Sequence, residues 1–180
     1  RLPLGVVAAI VPWNFPLSTT AWKLGPSIAS GNSVILKPAS NTPLTAIRIA
    51  SLASEAGLPD GVLHVLPGPG GSLGQHLSTH MDIDGQTFTG STPVGKQLMQ
   101  SAGQSNLKRT FLELGGKSPN IVFPDADLNK AAAMAAVAVF YNAGQTCTAG
   151  TRLIVHESIM DQFMEKVTQN AQAWMPGNPL

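Results

Sequence analysis

Residues 83–103, IDGQTFTGSTPVGKQLMQSAG, pass from a β-branched run through a glycine turn into a stretch of helical texture. Pro93 stands near the first helical position, where a missing N–H does no harm, and Ser91 or Thr92 is the expected cap. A strand handing over to a helix in this way is the unit of a doubly wound sheet, and such sheets bind ligands at their strand ends. The helix start offers unpaired N–H groups and the positive end of its dipole, so a phosphate or pyrophosphate is expected there, with Gly90 letting the backbone come close. A glycine-rich turn of no consequence is the plain alternative. Gly90, Gly95 and Lys96 also copy most of an ATP-binding phosphate loop, but the position that needs a magnesium-binding Ser or Thr is Gln97. Nucleotide hydrolysis is disfavoured.

Working outward, GVVAAIV, SVILKP, GVLHVLPG, IDGQTFTG and RTFLELGG are expected to be buried strands alternating with helices, the pattern of a parallel sheet with crossover helices. The helices are expected in PLSTTAWKLGPSIAS, TPLTAIRIASLASEAG, GSLGQHLST and TPVGKQLMQSAG. After Gly116 the texture changes: SPNIVFPDADL gives a strand and turn, and AAAMAAVAVFYN gives a nearly all-apolar helix that should be buried on most sides. TRLIVHESI then gives another strand, and a helix follows from about Met160 to Ala173. A boundary is placed at Gly115 and Gly116, making domains of residues 1–115 and 116–180.

With 43% apolar and 12% charged residues in 180, the chain can build a substantial core, and part of its surface is expected to pack against further protein. It begins at Arg1 and is expected to be a piece of a longer chain, incomplete at its N-terminus. Eleven basic and ten acidic residues, spread evenly, leave a net charge of +1 and no footprint for nucleic acid. The apolar runs are too short to span a membrane, no signal peptide is seen, and a single cysteine fits a reducing compartment, so a cytoplasmic location is expected. His76 and His80 lack the glutamate of a zinc-protease pattern, and no metal site is expected.

Three residues invite chemistry. Cys147, in NAGQTCTAG, has small and polar neighbours that make a poor core but a plausible open turn. An inert core thiol is the alternative, and a nucleophile here would need help to ionise. Glu113, at a strand end before two glycines, is either solvated or a general base. Asn14, in PWNFP, is a turn former or a rigidly held oxyanion donor.

In this order, PWNFP, LKPAS followed by NTPL, FTGSTPVGK, LELGGKSPNIV and GQTCTAG resemble the aldehyde dehydrogenase superfamily over essentially the whole chain. The resemblance implies a dinucleotide-binding domain followed by the start of a second α/β catalytic domain, in a family whose chains are well over twice this length. It implies NAD(P)-dependent oxidation of an aldehyde to its carboxylic acid. Cys147 would attack the aldehyde to give a thiohemiacetal and then a thioester, Asn14 and the Cys147 N–H would hold the oxyanion, and Glu113 would activate the hydrolytic water.

Cofactor positions carried over are Val11, Trp13, Lys37, Ser40, Gly70, Gly74, Phe88, Gly90, Ser91 and Leu114. Lys37 falls at the adenosine ribose, Gly70 and Gly74 under the adenosine side, Trp13 and Ser91 at the pyrophosphate, and Phe88, Gly90 and Leu114 near the nicotinamide half. Many NAD-preferring members carry a glutamate where this chain has Ser40, so both NAD and NADP are expected. Within the superfamily the chain looks most like the γ-glutamyl-γ-aminobutyraldehyde dehydrogenases. Substrate-tunnel positions fall on Phe15, Ser18, Thr19, Trp22, Tyr141, Thr146 and Thr148, which favours a polar or amino-substituted aldehyde. Lys23 either assists proton movement or is structural. A homo-oligomer, dimer or tetramer, is implied for the full-length protein. The competing reading is a non-catalytic dinucleotide-binding module.

Overall fold

The five-residue run VVAAI forms β1 (Val6–Ile10), and its small or β-branched side chains let it lie at the centre of a sheet with both faces covered. In the computed structural model, which describes residues 2–178, the chain divides into two compact units, Arg1–Leu114 and Gly115–Leu180. The first contains β1, α1 (Pro16–Ala29), β2 (Ser33–Lys37), α2 (Leu44–Glu55), β3 (Leu63–Val65), a π-helical turn (Gly70–Gly74), α3 (Gln75–Thr79), β4 (Gly85–Gly90), α4 (Thr92–Gly103) and β5 (Arg109–Leu114). All strand pairs are parallel and the sheet order is β3-β2-β1-β4-β5, a doubly wound arrangement.

Period-two alternation divides the core. Ala9, Val11, Val34 and Leu36 pack against Leu24 of α1 and Ala46 of α2. Ala8 packs with Leu77 of α3 and Ile83, and Ile10 and Phe88 pack with Leu98 of α4. Helices α1 and α2 therefore cover one face, and α3 and α4 the other, as right-handed crossovers require when the order reverses at β1.

Several expectations need correction. GVLHVLPG and RTFLELGG do not form buried strands: β3 and β5 are the sheet edges, β3 has only three residues, and along β5 exposed and half-buried residues alternate. Phe111 is 54% exposed on the α1 side of β5. In GSLGQHLST the first turn is π-helical and only Gln75–Thr79 is α-helix. Ser91 occupies the cap position of α4, but neither its side chain nor that of Thr92 caps the helix.

The second unit pairs β6 (Pro119–Val122) in parallel with β7 (Arg152–Val155). Helix α5 (Leu128–Phe140) is capped by Asp127, whose Oδ1 accepts from the Asn129 and Lys130 N–H groups. It packs with α6 (Met160–Ala171) around Ala132, Ala135, Val122 and Phe163. The expectation that α5 is buried on most sides fails, because only its alanine face is covered within the unit and Met134, Val137 and Phe140 are exposed.

Gly5 enters β1 with φ +123°, and a Cβ there would land on Asp84 Oδ2, which accepts from the Val6 N–H at 2.8 Å. Gly5→Ala should therefore lower the stability of the first unit by about 2 kcal/mol. The urea midpoint followed by tryptophan fluorescence reads this, and an unchanged midpoint would show that the turn relaxes freely.

Candidate active site

Parallel pairing brings the C-terminal ends of the strands to one edge, and the segments leaving β1, β2, β4 and β5 carry most of the singled-out residues. After Ile10 the Val11 N–H donates to the Lys37 carbonyl (3.1 Å), which extends the β1–β2 ladder to the start of the PWNFP segment. Trp13 is exposed there and Asn14 is half-buried. Lys37 is buried, its Nζ donates to the Pro38 carbonyl (3.0 Å), and burial lowers its pKa from the usual lysine value. Ser40 is exposed, with its hydroxyl donating to the Gly68 carbonyl (3.0 Å).

On the α3–α4 face these strand ends floor a cleft of about 590 Å³. Ile10, Lys37 and Phe88 line its floor, Gly70 to Gln75 one wall, and α4 from Ser91 the other. Its volume suits a small-molecule or cofactor site. At two points around it an added side chain would press on a neighbour. A Cβ on Gly90 would strike the Phe88 ring, and one on Gly95 would come within 2.7 Å of a Leu114 methyl. Among the cofactor positions, Lys37, Gly70, Gly74, Phe88 and Ser91 line the cleft, whereas Val11, Trp13, Ser40, Gly90 and Leu114 are not part of its lining. Gln75, Gln97, Gln100 and Gln104 also line it and were not anticipated. Gln97, Gln100 and the capping Gln104 have only their helical spacing along α4 as a sequence signal, which a solvated helix face shares, and Gln75 at the start of α3 has none.

On the opposite face of the same strands, Lys23 of α1 is buried and its Nζ donates to Thr87 Oγ1 of β4 at 2.9 Å. Burial depresses this ammonium to about 8, and the Glu113 carboxylate of β5 opposes the shift. Glu113 lies on the exposed side of β5 with Arg109 and Phe111. Lys23, Trp22, Thr87, Arg109 and Phe111 share a second cavity, of about 840 Å³. Of the other substrate positions on this unit, Phe15 is half-buried, Ser18 is exposed, and Thr19 is buried with its hydroxyl donating to the Phe15 carbonyl (2.6 Å).

In the second unit, Cys147 is half-buried in the loop between α5 and β7, within a turn closed by the Ala149 N–H on the Thr146 carbonyl (3.2 Å). Tyr141 and Thr148 are exposed, and the Thr146 hydroxyl is buried without a hydrogen-bond partner. Three successive residues, Asn142, Ala143 and Gly144, have φ of 52°, 55° and 76°. Two of them are not glycine, a conformation that costs roughly 1–2 kcal/mol per residue and is concentrated at functional sites. Among the described residues, no group of His, Cys, Asp and Glu could hold a metal ion, and no helix is long and apolar enough to cross a membrane.

All 180 residues match the profile of the aldehyde dehydrogenase family. The NADP/NAD-dependent aldehyde dehydrogenase PuuC of Escherichia coli K12 is 62% identical over 181 residues, which take in 100% of this chain and 37% of PuuC. The solved structure of γ-glutamyl-γ-aminobutyraldehyde dehydrogenase from Burkholderia cenocepacia J2315 superimposes with a TM-score of 0.96 at 61% identity, covering 99% of this chain and 36% of that one. An indole-3-acetaldehyde dehydrogenase complexed with NAD+ superimposes with a TM-score of 0.96 at 61% identity, covering 98% of this chain and 36% of its own. The chain thus spans little more than a third of the length of these relatives.

The Lys23 shift has a stability consequence. Its folded pKa lies below the unfolded value of 10.5, so the cost of burying the charge is fully present below about pH 8 and is relieved as pH rises from there to 10.5. Lys23→Met should therefore be most favourable to stability at pH 7, relative to the unsubstituted protein, and the difference should shrink across that window. Denaturation of the two proteins side by side measures it, and a difference independent of pH would mean that the amine titrates normally.

Proposed function

The chain belongs to the aldehyde dehydrogenase family, and from that premise we propose that it serves the NAD- or NADP-dependent oxidation of an aldehyde to its carboxylic acid. The observation that carries this reading is the cleft at the C-terminal edge of the parallel sheet, with Lys37 in its floor and the start of α4 in its wall. PuuC is named for NADP/NAD dependence, and an NAD+ complex is known for a related indole-3-acetaldehyde dehydrogenase.

The cleft residues fit a dinucleotide. The Gly74 Cα lies close enough to the Lys37 stem that a Cβ there would touch it at 3.9 Å, so the backbone and this lysine together form a narrow shelf. In this reading Lys37 holds the adenosine ribose, with Gly70 and Gly74 beneath it. Ser91, whose hydroxyl makes no capping bond, and Trp13 hold the pyrophosphate at the N-terminus of α4, where free N–H groups and the helix dipole favour an anion. Val11, Phe88, Gly90 and Leu114 border the remainder. When bound, the dinucleotide supplies the acceptor for the hydrogen and electron pair that leave the aldehyde carbon.

The other steps belong to side chains of this chain. The Cys147 thiolate attacks the aldehyde carbon, and the carbonyl electron pair moves to oxygen. In this reading Asn14 and the Cys147 N–H serve as the donors to that oxyanion, the role in which hydrogen bonds to a developing charge lower a barrier. After oxidation the acyl group is a thioester on Cys147. Glu113 takes a proton from water, the water attacks, and the acid leaves with the thiolate regenerated. Lys23, with a pKa of about 8 and under the influence of Glu113, is suited to pass that proton onward.

The substrate class is a polar or amino-substituted aldehyde, supported by the hydroxyl and aromatic groups at Ser18, Trp22, Tyr141, Thr146 and Thr148 and by the name of the Burkholderia cenocepacia relative. A cytoplasmic homo-oligomer completes the reading. Phe111, Ile121, Phe123 and Ile154, left exposed, are apolar area suited to further protein.

With a small amino-substituted aldehyde and either dinucleotide, absorbance of reduced nicotinamide should grow with time. Cys147→Ala should abolish it, and Asn14→Ala should slow it on the order of 10²- to 10³-fold. Glu113→Gln should give a burst of reduced cofactor followed by slow turnover. Dinucleotide binding without reduction would instead indicate a non-catalytic module. Ser40 presents no carboxylate to a 2′-phosphate, so preference between NAD and NADP should stay below about 10³-fold, roughly 4 kcal/mol. Ser40→Glu should weaken NADP selectively, and a larger preference in the unsubstituted protein would contradict the role given to Ser40.

A further inference from the structure

Two polar ties join the helices that wall the cleft. Across it, Gln75 Nε2 of α3 donates to Ser101 Oγ of α4 at 3.2 Å, and both residues line the cavity. The other tie comes from Lys108, which is not part of the cavity lining. Lys108 is only 5% exposed, and its Nζ donates to the Ser78 carbonyl in the last turn of α3 (2.8 Å) and to Ser105 Oγ just beyond α4 (3.0 Å). Ser105 Oγ donates in turn to the carbonyl of Ser101 (2.7 Å). Next to it, Asn106 Nδ2 donates to the carbonyls of Met81 and Ile83 (2.8 and 2.9 Å), so the segment after α4 is fastened to the segment after α3.

Stability alone does not account for an ammonium here. Burial depresses the Lys108 pKa, and its recorded partners are a neutral carbonyl and a neutral hydroxyl. A buried charge without a counter-charge costs more than an apolar side chain of similar size. What the ammonium does, and methionine could not, is bond to the ends of two separate helices from one atom.

We propose that Lys108 is a positioning residue for the adenosine half of the dinucleotide: by holding the end of α3 against the end of α4 it sets the width of the cleft between them. The inference rests on the dinucleotide reading given above. Lys108 immediately precedes β5, at the end of the strand remote from Glu113 and Leu114, so its influence falls on the α3–α4 walls and not on the residues given to the nicotinamide half.

The test titrates AMP and nicotinamide mononucleotide separately against the unsubstituted protein and Lys108→Met, after circular dichroism has established that the variant is folded. The Kd for AMP should rise about tenfold, the equivalent of one charge-assisted hydrogen bond, and the Kd for nicotinamide mononucleotide should not change. Equal AMP affinity in the two proteins, or equal weakening of both ligands, would overturn the proposal. If Lys108→Met does not fold, Ser105→Ala removes one of the two acceptors and should weaken AMP about threefold, still sparing the other ligand; unchanged AMP affinity there would overturn it as well. Failure of the unsubstituted protein to bind AMP or NAD+ would instead refute the dinucleotide reading, together with the inference built on it.

Discussion

Parallel pairing of β1, β4 and β5 is the constraint on which the rest depends. The register sets Ile10 beside Phe88 and Thr89 beside Glu113, so the three strands end on a common edge and their following segments leave in the same direction. Alternation then assigns each strand-end residue to a face. Phe88, Leu112 and Leu114 turn to α4 and support the cleft, while Thr87 and Glu113 turn to the side on which α1 presents Lys23. A shift of one residue in β5 would exchange Glu113 for Leu114 and disable both faces at once.

Three lysines buried in the first unit show where the fold gives up stability for position. Lys23, Lys37 and Lys108 are each depressed by burial, and the bonds recorded for their ammonium groups go to hydroxyls and carbonyls. Among the described residues the ion pair that does form, Arg48–Glu55 at 3.0 Å, is well exposed on α2 and adds little stability. The costly cations line or underlie the cleft or stand beside Glu113.

Much of the fold was legible because β-branched runs bounded by Gly, Pro and Ser mark strands without reference to anything distant. The runs at Val6–Ile10, Ser33–Lys37 and Gly85–Gly90 are of this kind. Edge position was not legible, since Leu63–Val65 and Arg109–Leu114 contain equally apolar side chains and only the strand order exposes them. The alanine-rich α5 misled for a related reason: composition reports how much of a helix can be buried, and the neighbours decide how much is. For the candidate site, motifs pointed to Lys37, Gly74 and Ser91, whereas the glutamines of α4 acquire meaning only once α3 stands opposite them. Lys108 carries no signal in the sequence because its partner carbonyl at Ser78 is 30 positions away and is backbone.

The account is tested most directly by amide hydrogen exchange with and without saturating NADP+. Slowed exchange is expected along the C-terminal edge of the sheet, at residues 11–14, 37–40, 70–75 and 90–95. Absence of protection there, or protection confined to the opposite edge around Gly5, Asn32 and Arg109, would contradict it.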